Sequence, residues 1–298
     1  MSAKTIAVMA PGHMGHAIGG HLVGQGLRVI TNLTDRSADT HARAARAGLE
    51  DVKSDAALIE QADMLLSVLP PGSALDFARR IAETVKAHGG EFLYVDCNAV
   101  SPATAAEIAG VLEGVGIRCV DAAIRGGAAV DGKPQPRIYV SGPGAEEFEA
   151  LNAYGLDIRV IGSRAGQASG LKIAGAAVSK GVVLLVLQAF ATAKALGVEK
   201  ELSEDLGADD AQVKAARRRA PNFGPDAYRW ATEMDEIAAT VGAVGLSPAT
   251  FEGFADLCRL AEGTVLGSQT KEDAANRSGF DDIVAILAEA AGNRGGGA

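Results

Sequence analysis

As far as Gly162, short runs of β-forming residues alternate with amphipathic stretches of helical period, and this alternation limits the possible folds more than any other feature. Strands are expected at Thr5–Met9, 27–31, 64–69, 92–96, 118–122, 137–141 and 157–161. Helices are expected at 14–25, 37–47, 54–61, 75–87 and 103–112. Strands spaced by helices of this length pair in parallel through right-handed crossovers. After Gly162 the strand signals stop, and helical stretches follow at 168–195, 201–219, 227–244, 248–260 and 280–290. The expected fold is therefore an α/β domain over 1–163, doubly wound on a mostly parallel sheet. An all-α substrate and dimerisation domain over 164–298 follows, joined by one long interdomain helix. The boundary is the turn at 162–166, and the Gly-rich tail 292–298 is expected to be disordered. No internal repeat is visible.

Composition removes several function classes. The chain has 298 residues and a net charge of −9, which argues against general nucleic-acid binding, since that needs clustered Lys and Arg. The one basic run, Arg217-Arg218-Arg219, reads as a solvated helix end. Cys97, Cys119 and Cys258 lie far apart with no ligand spacing, so neither a disulfide framework nor a metal site is expected. The N-terminus lacks the pattern of a signal peptide. The longest apolar run, 181–187, stops at Gln188, well short of the roughly 18 residues a membrane span needs. A cytoplasmic protein without membrane partners is the expectation by elimination.

The first strand ends in Met9-Ala10-Pro11-Gly12-His13-Met14-Gly15, which has the spacing of G-x-G-x-x-G with Ala10 in the first Gly position. Gly12 would let the backbone approach a pyrophosphate, and Gly15 would let the helix pack close to the strand. The helix start would supply N–H groups and a positive dipole end. Pro11 removes one donor from the turn. The motif follows the first strand and opens a helix, as a dinucleotide site on a Rossmann domain requires. The alternative is a Gly-rich turn without ligand.

The second strand decides the cofactor. Its end, Thr31-Asn32-Leu33-Thr34, is neutral, and Asp35, Arg36 and Ser37 follow. Arg36 can pair with a 2′-phosphate while Thr34 and Ser37 donate hydroxyls, which favours NADP(H). Asp35 lies at about the distance expected of an NAD-binding acid, so NAD stays open.

Beyond this point several segments resemble the β-hydroxyacid dehydrogenases, which include 3-hydroxyisobutyrate and 6-phosphogluconate dehydrogenases. They are Gly12-His13-Met14-Gly15, the strand end Val68-Leu69-Pro70-Pro71, and Asp96-Cys97-Asn98-Ala99-Val100-Ser101-Pro102. Asp121-Ala122-Ala123-Ile124-Arg125-Gly126-Gly127 resembles the family's D-A-P-V-S-G-G substrate loop. The run from Gly166 to Ile173 resembles its G-x-A-x-x-x-K catalytic helix. The segment from Trp230 to Ala238 looks like a branch with a 6-phosphogluconate-dehydrogenase-like C-terminal domain. The resemblance implies NADP(H)-linked redox chemistry at a cleft between the domains, in a homodimer. It makes Lys172 the catalytic residue. Gly12, His13, Met14, Gly15, Thr34, Arg36, Ser37, Leu69, Pro70 and Asn98 would hold the cofactor.

Two departures bear on the substrate. Arg125 replaces the family's usual Ser, and Gly175 and Ala176 stand near its usual Asn pair. Arg125, Gly126 and Gly127 can form a carboxylate-binding turn, which suits a small acid; an ordinary strand-to-loop turn is the alternative. Lys172 near a helix start faces the positive dipole end, so a cation there needs a compensating anion. A partly desolvated Lys can serve as general acid and base. Asn98, at a strand end, would bond the nicotinamide ribose, with Pro70 and Pro71 shaping the wall. Lys180 lies on about the same helix face as Lys172 and could pair with an acid of the second domain. Glu233 and Glu236 form a solvated face, or one of them enters the cleft. His13 and His16 could also be plain helix surface.

The leading reading is an NADP(H)-dependent dehydrogenase for a small hydroxyacid or its semialdehyde. Alternatives are an imine reductase on the same architecture, a 6-phosphogluconate-like decarboxylase with a phosphate site at 217–219, and a dinucleotide-binding regulator without turnover.

Overall fold

The computed structural model describes residues 4–129, 134–207, 209–270, 272 and 279–295. Two compact units divide the chain, Met1–Lys172 and Ile173–Ala298.

The first unit is built on one eight-stranded sheet. Its strands are β1 (Thr5–Met9), β2 (Arg28–Thr31), β3 (Glu50–Asp51), β4 (Met64–Ser67), β5 (Leu93–Asp96), β6 (Arg118–Arg125), β7 (Arg137–Ser141) and β8 (Asp157–Gly162). They lie in the order β3-β2-β1-β4-β5-β6-β7-β8. The helices between them are α1 (His13–Gly24), α2 (Ala38–Arg46), α3 (Asp55–Gln61), α4 (Ala74–His88), α5 (Pro102–Glu113) and α6 (Ala145–Glu149). Alternate residues of β1 enter opposite cores: Ile6 and Val8 join one cluster, Ala7 and Met9 the other. Burial on both faces is why these strands read as continuous apolar runs.

Two features depart from the strict alternation. β7 runs antiparallel to β6, with Arg125 opposite Arg137. The connection between them, 126–136, is short, and a parallel pairing needs a crossover of a dozen or more residues. The two-residue β3, paired to β2, is too short to show a period.

The long helix α7 (Gln167–Ala195) begins in the first unit and continues into the second. The remaining helices are α8 (Glu199–Leu206), α9 (Ala211–Arg219), α10 (Phe223–Ala243), α11 (Ala249–Glu262) and α12 (Phe280–Gly295). The helix expected over 201–219 is thus two. Gly207 ends α8 at φ +77°, a conformation that favours glycine. The Asp210 carboxylate then caps α9, accepting from the Gln212 and Val213 N–H groups at 2.9 Å. α12 runs on to Gly295, so the expected loose tail from 292 is helical for four more residues; 296–298 lie outside the described residues. The second unit has its own core, in which Phe223 meets Trp230 edge-on at 5.6 Å and Phe190 meets Phe280 at 5.2 Å.

One expectation about α7 is corrected. The helix is long and apolar enough, by length and composition, to cross a membrane, with mean hydropathy 1.9 over its best window. The run 181–187 was too narrow a measure, because Gln188 does not offset the Ala, Val and Leu around it. A third of that window is buried inside the protein.

Candidate active site

The sheet order reverses at β1, with β2 on one side and β4 on the other. Chain connections leave in opposite directions there, which opens a crevice at the carboxyl ends of β1 and β4. The turn after β1 sits at this point. Gly12 is the N-cap of α1, and no side chain caps the helix. The helices α2, α3 and α5 are each capped by a serine, Ser37, Ser54 and Ser101. The first-turn N–H groups of His13, Met14 and Gly15 are therefore left for water or a ligand.

The two glycines do different work. A Cβ on Gly15 would lie 2.1 Å from the Ala10 carbonyl oxygen, so only glycine lets α1 pack this close to β1. A Cβ on Gly12 would meet nothing within 4 Å. That open space beside uncapped amides is the shape a pyrophosphate fills, so these residues fit a dinucleotide.

At the end of β2, Thr34 donates its hydroxyl to the Lys53 carbonyl at 2.8 Å, and Ser37 spends its oxygen capping α2. Asp35 is exposed in the left-handed region at φ +59°. Arg36 is half-exposed and forms no ion pair among the described residues. The nearby carboxylates are occupied: Asp51 accepts from the Leu33 and Lys53 N–H groups, and Asp55 from Asn32 and Arg80. Lys53, absent from the residues expected here, brings a second cation to this edge. Its signal was out of reach because its neighbour Thr34 lies 19 residues upstream.

Further along the sheet, the Asn98 side chain is committed as a donor. It is buried, and its amide is fully engaged, donating to Ser67 Oγ at 2.8 Å and to Asp96 while accepting from the Leu69 N–H at 2.5 Å. It ties the ends of β4 and β5 together and has no free N–H for a ribose. Leu69 and Pro70 emerge beyond it as a partly exposed wall.

Lys172 lies in the first turns of α7. That helix start is held by Asp121, whose carboxylate accepts from the Ser169 hydroxyl at 2.6 Å and from the Gly166 and Ser169 N–H groups at 2.8 and 3.0 Å. Lys172 follows Ser169 by three residues and so shares its helix face. Burial pulls the Lys172 amine below the usual lysine range; Cys97, Asp96 and Asp121 act in the opposite sense, and Arg125 pushes it further down. Burial pushes the Asp96 carboxyl up to about 7. Asp96 and Asp121 were read only as parts of motifs.

Arg125 ends β6, exposed, with no hydrogen bond or ion pair among the described residues. Its cross-strand neighbour Arg137 is already held by Asp157 at 2.9 Å. Arg125, Gly126 and Gly127 line one cavity of about 820 Å³ together with His13 of the α1 turn.

Other candidates belong to the second unit. In the second unit Lys180 is ion-paired to Glu233 and lies 5.1 Å from the Trp230 ring centroid, and Glu233 also takes Arg229 at 2.9 Å. Glu236 is half-buried on the same helix. Arg217 pairs with Asp281 at 3.0 Å and Arg219 donates to the Ser179 carbonyl at 2.8 Å, so the basic run is largely occupied.

Residues 5–154, half of the chain, match the NAD binding domain of 6-phosphogluconate dehydrogenase. The chain belongs to the β-hydroxyacid dehydrogenase-like superfamily. Within the second unit, residues 193–260 of this superfamily member match a domain of unknown function, DUF1932. An uncharacterised 28.5 kDa protein of Methanothermus fervidus is 33% identical over 180 residues, 60% of this chain and 67% of that protein. A conserved protein of unknown function, described as similar in structure to 3-hydroxyacid dehydrogenases, superposes with a TM-score of 0.72 at 29% identity, over 87% of this chain and 98% of its own. The fold is shared with a Mycobacterium tuberculosis 3-hydroxyisobutyrate dehydrogenase (TM-score 0.69, 22% identity, 96% and 98% covered). Imine reductases share it too.

Proposed function

We propose that this protein is an NADP(H)-dependent oxidoreductase acting between a small carboxylate-bearing hydroxyacid and its carbonyl form, with Lys172 as general acid and base. The observation that carries this reading is the desolvated Lys172 amine, electrostatically coupled to the unpaired Arg125 in the same compact unit as the dinucleotide turn. A bound nicotinamide supplies or takes the hydride. Everything else falls to the chain. In reduction, negative charge grows on the carbonyl oxygen, and the Lys172 ammonium gives it a proton; in oxidation the amine takes the hydroxyl proton. Arg125 and the Gly126 and Gly127 backbone hold the carboxylate, and a guanidinium in place of a hydroxyl gives that grip a full charge.

The test is NADPH oxidation across semialdehydes, 2-oxo acids, their methyl esters and cyclic imines. Turnover with the acids, and a kcat/KM at least about tenfold lower on the esters, is expected from losing one charge-assisted contact. Turnover confined to cyclic imines, or none on the whole panel, contradicts the reading.

Arg36 and Lys53 support NADP over NAD, since Asp51 and Asp55 are already bonded and Asp35 is exposed at a left-handed position. Arg36→Ala is expected to raise KM for NADPH by about tenfold or more while leaving KM for NADH nearly unchanged, the worth of one charged contact. Equal effects on both cofactors would remove Arg36 from the 2′-phosphate.

We also propose a homodimer. On α7, Leu171, Val178 and Leu185 recur every seven residues and are 40%, 69% and 55% exposed. A seven-residue apolar stripe suits packing against another helix, here a second copy of the chain. Sedimentation should show a dimer for the wild type and a monomer for Val178→Glu with Leu185→Glu; a monomeric wild type refutes it.

A further inference from the structure

Four residues lie in lateral register across the sheet. Ser67 of β4 stands opposite Asp96 of β5, Asp96 opposite Asp121 of β6, and Asp121 opposite Ser141 of β7. All four are buried. Polar side chains in a row at this depth need partners, because an unpaired polar atom in the interior costs free energy.

Asp121 has its partners. It takes the α7 N–H groups and the Ser169 hydroxyl, and the Ser141 hydroxyl at 3.3 Å. The positive end of the α7 dipole favours its charge. Asp96 is different. Its Oδ1 accepts from Asn98, but its Oδ2 is buried with no hydrogen-bond partner. The groups around it are Asp121 and Cys119 on β6, Tyr94 and Cys97 on its own strand and strand end, and Lys172 on α7. The cation in that set is Lys172. Lys172 stands one helical turn beyond Ser169, whose hydroxyl is held by Asp121, the strand neighbour of Asp96, and the charges of Cys97, Asp96 and Asp121 favour its ammonium form.

We infer that Asp96 is a positioning residue for Lys172, its unpaired buried carboxylate oxygen setting the charge that the amine carries. This rests on the proposed role of Lys172 and deepens it. Ionised Asp96 favours the ammonium, the form that protonates a carbonyl oxygen. Protonated Asp96 removes that anion and favours the free amine, the form that accepts a proton from an alcohol. The effect is electrostatic and needs no proton transfer between the two groups. Burial of Asp96, with Asp121 beside it, brings the carboxyl to about 7, so this carboxyl changes charge near neutral pH.

The experiment reads Lys172 directly in ligand-free protein. With 13Cε-labelled lysine, the Lys172 signal is assigned by its loss in Lys172→Arg and titrated with pH. In Asp96→Asn its midpoint is expected to fall by about one pH unit or more, the usual effect of removing a close opposite charge. Asp96→Glu, which keeps the charge, returns the midpoint toward the wild type. Reduction at pH 7 should lose kcat in Asp96→Asn, with KM for NADPH unchanged. Should Asp96→Asn not fold, infrared titration of the buried carboxyl stretch decides: its midpoint rises in Lys172→Met if the two are coupled. An unmoved Lys172 midpoint in folded Asp96→Asn, or an unmoved carboxyl midpoint in Lys172→Met, overturns the inference. A moved midpoint without turnover on any substrate sinks the proposed function and leaves the coupling intact. Turnover with unmoved midpoints does the reverse.

Discussion

Lys172→Ala is expected to lower kcat by about 10²–10⁴-fold, the usual worth of a positioned general acid, with NADPH affinity changed by less than about twofold. The split follows from position. Lys172 lies on α7, one turn beyond the Ser169 that Asp121 of β6 holds, whereas the amides proposed to bind phosphate belong to α1, after β1. The side chain is half-buried and makes no hydrogen bond among the described residues, so the variant should melt close to the wild type. Single-turnover rates with saturating NADPH check the loss in the chemical step. Unchanged kcat would remove Lys172 from the mechanism and favour the regulator without turnover.

Gly12→Val should weaken NADPH binding by about 100-fold while hardly altering stability. The φ of −70° suits any residue, and the new Cβ enters empty space. What it blocks is the approach to the α1 amides, where two charge-assisted contacts are together worth about 3 kcal/mol. Gly15→Ala should do something else. Its Cβ would lie 2.1 Å from the Ala10 carbonyl oxygen, so the helix must shift, at a cost of about 1–3 kcal/mol in stability. Thermal melts and binding titrations on both variants separate the effects. If Gly12→Val binds NADPH as the wild type does, the space beside it is not a phosphate site.

The legible parts of the fold are those with local signals. β1, β4 and β5 are buried on both faces, and each carries a short apolar run, 6–9, 64–66 and 93–95. α7 is visible from its length. The break between α8 and α9 depends on one glycine and one aspartate, Gly207 and Asp210, which a hydrophobic period does not register. The return of β7 depends on the shortness of the connection 126–136, which alternation alone does not count.

The site divides in the same way. Gly12, Gly15, Arg125 and Lys172 stand in short motifs, so the roles proposed for them can be read locally. The rung of Ser67, Asp96, Asp121 and Ser141 is spread over 75 positions and exists only once four strands are in register. Asn98 shows the opposite failure. Its place at a strand end suggested a free donor, but Ser67 and Leu69, 31 and 29 residues upstream, consume its amide. Such partners are settled by strand pairing, which is non-local.

The proposed chemistry requires a reduced dinucleotide against the first turn of α1. Amide hydrogen exchange, followed residue by residue with and without saturating NADPH, tests it most directly. The His13, Met14 and Gly15 amides are expected to slow by about tenfold or more, as charge-assisted bonds to phosphate form. Unchanged exchange at these three amides, or protection confined to the second unit, contradicts it.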